Sequence, residues 1–274
     1  MKRLTSILMT CALLCFLVLT GCNSSQGAKE TASNQSTGEN KAQGTKMKLV
    51  EEGTLVFASS GLYKPFNFKK DGQLTGFDVD IGNELAKRMG LKPKAVTNPW
   101  ETIIQGLKGN KYDAIIGSMS ITPERAAQVD FTDPYYISGA QIFVAESNNT
   151  IKSKEDLKDK VIGVVQSSTF KVLAEKYTKK IKSFPSDVYA LQDLPPGRLD
   201  AVITDKMVGI NAMNEQHLKI KPVGELLYED KIGMAVNKGN TELLKQMNKA
   251  LADMIADGTY EKISMKWFNR NILK

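Results

Sequence analysis

Short apolar runs alternate with amphipathic helical segments along most of this chain, and that order limits the folds open to it. Residues 55–58 are an apolar run that a Ser-Ser-Gly segment ends. The next helix carries Ile81, Leu85 and Met89 at helical spacing, and Asp78 is its predicted N-cap. Further strands are predicted at residues 112–117, 161–165, 201–203 and 232–236, before two closing helices. Because strands followed by helices pack as layers around one sheet, the sequence predicts an α/β fold with mainly parallel strands.

The first 22 residues are predicted to be a targeting segment. Lys2 and Arg3 precede an uncharged run at residues 4–19, which is shorter than the about 20 apolar residues of a membrane-spanning helix. The run ends in Leu-Thr-Gly followed by Cys22, an arrangement that resembles the lipobox of bacterial lipoproteins. We therefore predict a lipoprotein signal peptide at 1–22 and a diacylated Cys22 that anchors the protein on the extracytoplasmic face of the cell membrane. An ordinary signal peptide with a chance cysteine and an uncleaved anchor are the alternatives.

The cysteine and histidine content excludes several kinds of site. Cys11 and Cys15 lie in the apolar run, so residues 23–274 contain no thiol for a disulfide, a thiolate metal site or a nucleophile. The single histidine, His217, lies in a polar stretch and is predicted to be at the surface. The chain also lacks a Walker motif. We expect neither a metal nor a cofactor.

A polar tract follows the targeting segment. Residues 23–46 contain no large apolar side chain and predict a flexible linker. The formal net charge of +7 falls to +5 without Lys2 and Arg3, and a modest positive charge suits anionic envelope surfaces. Because the lysines are scattered rather than clustered, we expect no binding to nucleic acid.

Arg125 stands at a helix start, where a cation is unfavourable. Thr122 as N-cap and Pro123 at the first helical position predict that start. The positive end of the helix dipole disfavours a cation there by about a few tenths of a kcal/mol, and an anion nearby would remove the conflict. Since a guanidinium fits a carboxylate bidentately, Arg125 is a candidate anion ligand. The alternative is a surface arginine paired with Glu124 or Asp130.

Polar residues also follow three predicted strands at their carboxyl ends, where an open α/β sheet binds its ligands. Ser118 and Ser120 come after one strand. Ser168 and Thr169 join a second strand to a helix, where main-chain amides bind anions or simply complete a cap. Asp205 follows the third strand and can accept from an ammonium group or cap the next helix.

Together these groups match a zwitterionic ligand, with Arg125 for a carboxylate and Asp205 for an amine. A phosphate or a dicarboxylate would not need Asp205. Tyr63 and Trp100 stand at loop positions, where aromatic side chains either wall a pocket or cover a local apolar cluster.

The motifs resemble those of the family-3 solute-binding proteins of bacterial polar amino-acid ABC importers, over nearly all of residues 49–269. Seven pieces carry the resemblance, at residues 63–66, 76–81, 113–116, 120–125, 131–136, 197–201 and 256–262. No single piece is decisive, but seven in order along one chain are specific.

The resemblance implies a two-lobed, type II periplasmic-binding-protein-like fold in which two crossing strands join the lobes. Residues 49–138 and 232–274 would form lobe 1, and residues 139–231 would form lobe 2. The lobes would close on an amino acid in the cleft, and an ABC permease in the membrane would recognise the closed protein. We expect a monomer.

The resemblance also implies roles for individual residues. Arg125 would clamp the α-carboxylate, helped by the regions of Ser120 and Thr169. Asp205 and Ser118 would take the α-amino group, while Tyr63 and Trp100 would flank the side chain.

Three departures from the family pattern bear on selectivity. Ser60 stands where receptors for basic amino acids often place an acidic residue, which weakens an assignment to arginine or lysine. Lys64 near the cleft mouth would favour an acidic or amide side chain unless it is solvated. Two prolines, Pro195 and Pro196, replace an expected helix end. The resulting order of ligands is polar uncharged, including glutamine and cystine, then basic, then acidic.

Two other functions fit the same fold. An extracytoplasmic lyase or dehydratase would need an acid or base in the cleft, and the sequence offers no carboxylate there beyond Asp205, so we expect no enzyme. A ligand-sensing partner of a signalling protein is the second alternative.

Overall fold

The computed structural model describes residues 47–273. The predicted signal peptide, the lipidated Cys22 and the linker at 23–46 lie outside the described residues. Within the described range, no helix is both long and apolar enough to cross a membrane. His217 is exposed, as predicted.

Strands and helices alternate along the chain. The strands are β1 (Thr54–Ser59), β2 (Leu62–Tyr63), β3 (Asn67–Lys70), β4 (Gln73–Thr75), β5 (Lys92–Thr97), β6 (Ala114–Ser120), β7 (Val129–Phe131), β8 (Tyr136–Ala145), β9 (Ile162–Val165), β10 (Ile181–Phe184), β11 (Ala201–Asp205) and β12 (Ile220–Asn237). The helices are α1 (Phe77–Arg88), α2 (Ile103–Lys108), α3 (Pro123–Ala126), α4 (Thr169–Ala174), α5 (Asp187–Gln192), α6 (Lys206–Asn214), α7 (Thr241–Ala256) and α8 (Thr259–Phe268), with 3₁₀ turns at Trp100–Thr102 and Lys154–Leu157.

A mixed sheet in the order β10-β9-β11-β8-β12-β6-β1-β5 organises the molecule, with β7 also paired to β12. Strand β1 pairs in parallel with β5 and β6, and β9 pairs in parallel with β10 and β11. Strands β8 and β12 pair antiparallel with each other and with their neighbours. The mixed α/β fold is confirmed, but the expectation of mainly parallel strands holds only for the two flanks. A separate small sheet contains β2, β3 and β4.

Strand β12 is longer than the sequence predicts. It begins at Ile220, whereas the apolar run starts at residue 232. Its first half carries polar residues and Pro222, which conceal a strand from a search for apolar runs. Pairing with β8, from Ile220 opposite Ala145 to Ile232 opposite Tyr136, holds this half in the sheet across one register shift.

Apolar residues cover both faces of the central strands. In β1, Leu55 and Phe57 belong to a cluster that includes residues of α1, α7 and α8. The alternate residues, Val56 and Ala58, belong to a second cluster with residues of α2. Because successive side chains of a strand point to opposite faces, β1 is buried on both sides, as in other parallel sheets.

Helix α1 begins differently from the prediction. Its N-cap is Gly76, not Asp78, and Asp78 is the second residue of the helix. A Cβ atom on Gly76 would lie 2.2 Å from the carbonyl oxygen of Phe66, so the chain needs glycine there. The Asp78 carboxylate is fully buried and accepts hydrogen bonds from Asn67, Ser118 and Tyr135 at 2.7, 2.9 and 2.6 Å. Asp78 therefore supports the carboxyl end of β6 instead of capping a helix.

Candidate functional site

A cleft lies between the carboxyl ends of strands from the two flanks of the sheet. It holds about 560 Å³ of space, its open mouth included, within the about 300–1,000 Å³ of small-molecule sites. All nine residues predicted to bind the ligand line this cleft: Ser60, Tyr63, Trp100, Ser118, Ser120, Arg125, Ser168, Thr169 and Asp205. The structure thus brings the nine together, and their role in binding stays a prediction.

Arg125 occupies one end of the cleft. Thr122 caps α3 by accepting from the main-chain amide of Arg125, and Pro123 opens that helix, as predicted. The guanidinium donates to the carbonyl oxygen of Ser120 at 3.1 Å and lies 5.3 Å from the centre of the Trp100 ring. Burial lowers the pKa of Arg125, although the group remains a cation at any physiological pH.

The alternative explanation of Arg125 as a paired surface residue is not supported. Asp130 pairs instead with Lys238, at 3.2 Å. Within residues 47–273, no carboxylate oxygen lies within 4.0 Å of the guanidinium of Arg125. A partly buried guanidinium without an ion-pair partner in these residues favours an anion from outside the chain.

Hydroxyl groups and Asp230 surround the Arg125 end. Ser120 donates to the Asp230 carboxylate at 2.6 Å, and its hydroxyl lies 3.5 Å from that of Thr169. The Tyr228 hydroxyl donates to Thr169 at 2.9 Å. Burial raises the pKa of Asp230, while the Ser120 hydrogen bond and Arg125 oppose that rise.

Two carboxylates occupy the other end. Asp205, only 2 % exposed, caps α6 by accepting from the amide of Met207 at 2.7 Å, so the capping role considered for it is real. Asp187 opens α5 and accepts a short hydrogen bond from the Thr204 hydroxyl. Burial raises the pKa of Asp205 to about 7 and that of Asp187 to about 6. In the described part of the chain, no lysine or arginine nitrogen lies within 4.0 Å of either carboxylate, so no ion pair offsets the effect of burial.

The other three predicted serines also have hydrogen-bond partners. The Ser118 hydroxyl donates to Asp78 at 2.9 Å, and that of Ser60 donates to Asn67 at 3.1 Å. Ser168 caps α4 by accepting from the amide of Lys171 at 3.2 Å. Because a hydroxyl has two acceptor lone pairs, Ser118 can still accept a hydrogen bond from an ammonium group.

Comparison with known proteins shows the family of this chain. Residues 55–270 match the bacterial extracellular solute-binding proteins, family 3. The chain belongs to this family. Its fold is therefore that of a type II periplasmic binding protein, with β8 and β12 as the strands that join the flanks of the sheet.

Relatives of this family-3 protein bind amino acids. The chain is 34% identical over 236 residues to the L-cystine-binding protein TcyJ of Escherichia coli (strain K12), covering 85% of this chain and 89% of that protein. It is 35% identical over 227 residues to the histidine-binding periplasmic protein of the same strain, covering 77% and 85%.

Two solved structures are similar. One is an ancestral arginine-binding protein bound to glutamine, with a TM-score of 0.76 and 42% identity over 80% of this chain and 100% of the other. The second is the ancestral amino acid-binding protein AncCDT-1, a precursor of cyclohexadienyl dehydratase, with a TM-score of 0.74 and 39% identity over 79% and 96%. The named relatives are binding proteins, while the second structure relates the fold to an enzyme.

Sequence reasoning missed two carboxylates of this family-3 cleft. Asp187 and Asp230 line it beside Asp205, so the expectation that Asp205 is the only carboxylate there is wrong. Asp187 follows Pro185 and Ser186 at a helix start, where an acidic residue is ordinary. Asp230 lies in the half of β12 that the sequence did not identify as a strand. A search for acids at each predicted helix start would have found Asp187 but not its position in the cleft.

Proposed function

We propose that this protein captures an amino acid outside the cytoplasm and delivers it to an ABC permease. One observation carries the proposal: a guanidinium without an ion-pair partner in the described residues and the Asp205 carboxylate line one cleft. A free amino acid carries a carboxylate and an ammonium group, which complement these two ends. The named binding proteins for cystine and histidine support the same ligand class.

In this mode the α-carboxylate meets Arg125, and the α-ammonium meets Asp205. The hydroxyls of Ser120 and Thr169 lie beside the α-carboxylate. The hydroxyl of Ser118 accepts a hydrogen bond from the α-ammonium group. Trp100 already lies against the guanidinium, so the carboxylate approaches the open side of Arg125. Tyr63 then flanks the ligand's side chain.

Closure of two lobes about the ligand follows from the family fold. We take lobe 1 as residues 49–138 with 232–274, lobe 2 as residues 139–231, and the protein as a monomer. Three contacts would join the lobes when closed. Ser186 donates to the carbonyl oxygen of Leu62 at 2.9 Å, Trp100 donates to that of Ser167 at 3.4 Å, and the Ser120 and Thr169 hydroxyls are 3.5 Å apart. A ligand held by both lobes shifts the population toward this closed form.

The site of action would be the outer face of the cell membrane. Cys22 follows a Leu-Thr-Gly sequence behind an uncharged run, which supports lipid attachment there. Residues 23–46 would then tether the folded part near its permease. A single acyl chain anchors a protein only marginally, whereas two chains hold it stably.

A lyase or dehydratase is the second candidate, because one observation favours it. Asp187 and Asp205 have pKa values of about 6 and about 7, the range in which a carboxyl group serves as acid or base near neutral pH. Mass spectrometry of the bound ligand after incubation distinguishes the two functions. An unchanged amino acid supports the receptor, and turnover at substrate excess supports the enzyme.

A thermal-shift screen tests the main proposal. Residues 47–274, refolded to remove carried-over ligand, are screened against the proteinogenic amino acids, cystine, sugars, dipeptides and common dicarboxylates. A ligand at about 100 times its dissociation constant adds about 2.7 kcal/mol of stability. We expect a clear shift with one or a few L-amino acids.

The matched control separates the site from nonspecific stabilisation. Arg125→Ala should abolish the shift, while Arg198→Ala should retain it because Arg198 is exposed and pairs with Asp193 outside the cleft. Shifts with sugars or dicarboxylates alone would reject the amino-acid assignment.

A further inference from the structure

Negative charge exceeds positive charge in the cleft. Its described lining contains three carboxylates, Asp187, Asp205 and Asp230, against the single guanidinium of Arg125. The nearby Lys64 does not offset this excess, because its ammonium lies 5.4 Å from the centre of the Phe68 ring and the residue does not line the cleft. A zwitterionic ligand adds no net charge, so it leaves the excess unchanged.

The excess is unevenly distributed along the cleft. Asp230 shares the Arg125 end, where Ser120 donates to it and the guanidinium favours its ionised form. Asp187 and Asp205 lie at the other end, where burial dominates their electrostatics and Asp187 raises the pKa of Asp205.

Within residues 47–273, no cation lies within 4.0 Å of the Asp187 carboxylate. Asp187 is 3 % exposed, and its hydrogen-bonded partner is the neutral hydroxyl of Thr204, the residue before Asp205 in β11. An α-ammonium group paired with Asp205 leaves a second carboxylate desolvated beside it in the closed cleft. An uncompensated buried charge is strongly unfavourable. A second cation on the ligand removes that penalty.

We propose that the ligand is an amino acid with a cationic side chain and that Asp187 pairs with that cation. The inference rests on the proposed function and names its substrate class. Tyr63 lines the same cleft as Asp187 and Asp205, so its ring is available to a cationic side chain. An aromatic face there also attracts a cation.

This assignment places basic amino acids ahead of the polar uncharged ones, which the sequence analysis had put first. Ser60 lacks the acidic group that receptors for basic amino acids often carry there, and its hydroxyl is engaged with Asn67. Asp187 supplies a carboxylate to the same cleft from a different element, the start of α5.

Two ligand pairs test the proposal by isothermal titration calorimetry on the full folded chain. L-Arginine is compared with L-citrulline, and L-lysine with L-norleucine, since each pair differs mainly in the side-chain charge. We expect one cationic member to bind at least about 10-fold more tightly than its neutral partner, a difference of about 1.4 kcal/mol. Neutral members that bind as tightly in both pairs would overturn the proposal even if Asp187 variants do not fold.

Asp187→Asn then assigns the preference to one residue. Asparagine keeps the shape and can still accept from Thr204, so the variant removes only the charge. We expect its preference for the cationic ligand to fall to within about 3-fold, while Asp253→Asn, at an exposed site paired with Lys249, keeps the wild-type preference. An unchanged preference in folded Asp187→Asn would overturn the role of Asp187.

The outcomes separate this proposal from the proposed function. Tight binding of glutamine, cystine or citrulline without binding of arginine or lysine rejects the cationic side chain and retains the amino-acid receptor. Failure of every amino acid to bind rejects both.

Discussion

The two ends of the cleft are built in different ways. At one end, the Arg125 guanidinium donates to the carbonyl oxygen of Ser120 and lies against the Trp100 ring. At the other end, Asp187 and Asp205 come from separate elements, and their pKa values of about 6 and about 7 lie near neutral pH. The guanidinium keeps its charge at any physiological pH, whereas the charge of the Asp187 and Asp205 pair depends on pH and on a cation.

This difference assigns different tasks to the two ends. A permanent cation held by rigid neighbours positions the group that every amino acid shares, its carboxylate. Carboxyl groups that titrate near neutral pH ionise fully when a cation arrives, so they discriminate by the charge of the ligand. Substitutions at the two ends should therefore have different effects on affinity, pH dependence and stability.

Removal of the permanent cation should have the largest effect. We expect Arg125→Ala to weaken amino-acid binding at least about 100-fold, because truncating one partner of a buried charge pair costs about 2–5 kcal/mol. Calorimetric titration with the amino acid found in the screen measures the change. Arg198→Ala provides the exposed control, and a loss below 10-fold in Arg125→Ala would show that the carboxylate lies elsewhere.

Affinity should depend on pH through the acidic end. In the ligand-free protein, the Asp205 carboxyl group has a pKa of about 7, so below pH 7 it must lose a proton before it pairs with an ammonium group. Because a group with a pKa of about 7 is only about 1 % ionised at pH 5, we expect affinity to fall by nearly 100-fold between pH 8 and pH 5. Asp205→Asn should bind weakly with a shallower dependence, and an equally steep profile in that variant would assign the titration to another group.

The same pKa shifts predict a smaller effect on stability without ligand. The pKa of Asp187 is about 6 in the folded state and 3.8 as its ordinary value. Between these values the folded state binds more protons than the unfolded state, so this group's contribution to stability falls as pH rises from about 4 to about 6. Asp187→Asn should therefore stabilise the ligand-free protein at pH 8 by roughly 1 kcal/mol, or about 2–4 °C in Tm.

Melting curves at two pH values check the direction of this stability change. At pH 4, where Asp187 is mostly protonated in the folded protein, the variant and the wild type should melt within about 1 °C of each other. Destabilisation of Asp187→Asn at pH 8 would mean that the carboxylate is stabilised by its surroundings, contrary to the unpaired charge inferred for it.

The smallest expected effect concerns the aromatic support of Arg125. Trp100→Leu removes the ring that lies 5.3 Å from the guanidinium and the hydrogen bond to Ser167. A cation–π contact contributes about 0.5–1 kcal/mol at exposed sites, so we expect a loss of about 3- to 5-fold in affinity. A loss as large as that of Arg125→Ala would make Trp100 a main ligand contact instead of a support.

Local sequence signals were enough to place the Arg125 end. Thr122 and Pro123 mark a helix start, and the charge of Arg125 conflicts with the dipole of that helix. Residues 122–125 were therefore enough to predict an anion-binding arginine. Ser118 and Ser120 were predicted to follow a strand but lie at the carboxyl end of β6, and Asp205 ends β11, whereas Ser168 and Thr169 do follow β9. All five line the cleft, because carboxyl ends of strands meet at one edge of a sheet.

The acidic end required the three-dimensional structure. Asp187 reaches the cleft because α5 begins beside Thr204 of β11, a contact that no spacing in the sequence encodes. Asp78 looked like a helix cap, yet Gly76 holds that position and the carboxylate supports Ser118. Polar residues hid the first half of β12, which pairs with β8 to cross the molecule. Each miss depends on contacts between distant segments.

The most direct test of the two-ended cleft changes the ligand instead of the protein. The amino acid found in the screen is compared by calorimetry with its primary amide, which removes the carboxylate charge, and with its desamino analogue, which removes the ammonium group. We predict that both changes weaken binding at least about 30-fold, or about 2 kcal/mol. We also predict that Arg125→Ala no longer distinguishes the acid from the amide, and that Asp205→Asn no longer distinguishes the amino acid from its desamino analogue. Binding of either analogue as tightly as the amino acid would contradict the account of the cleft.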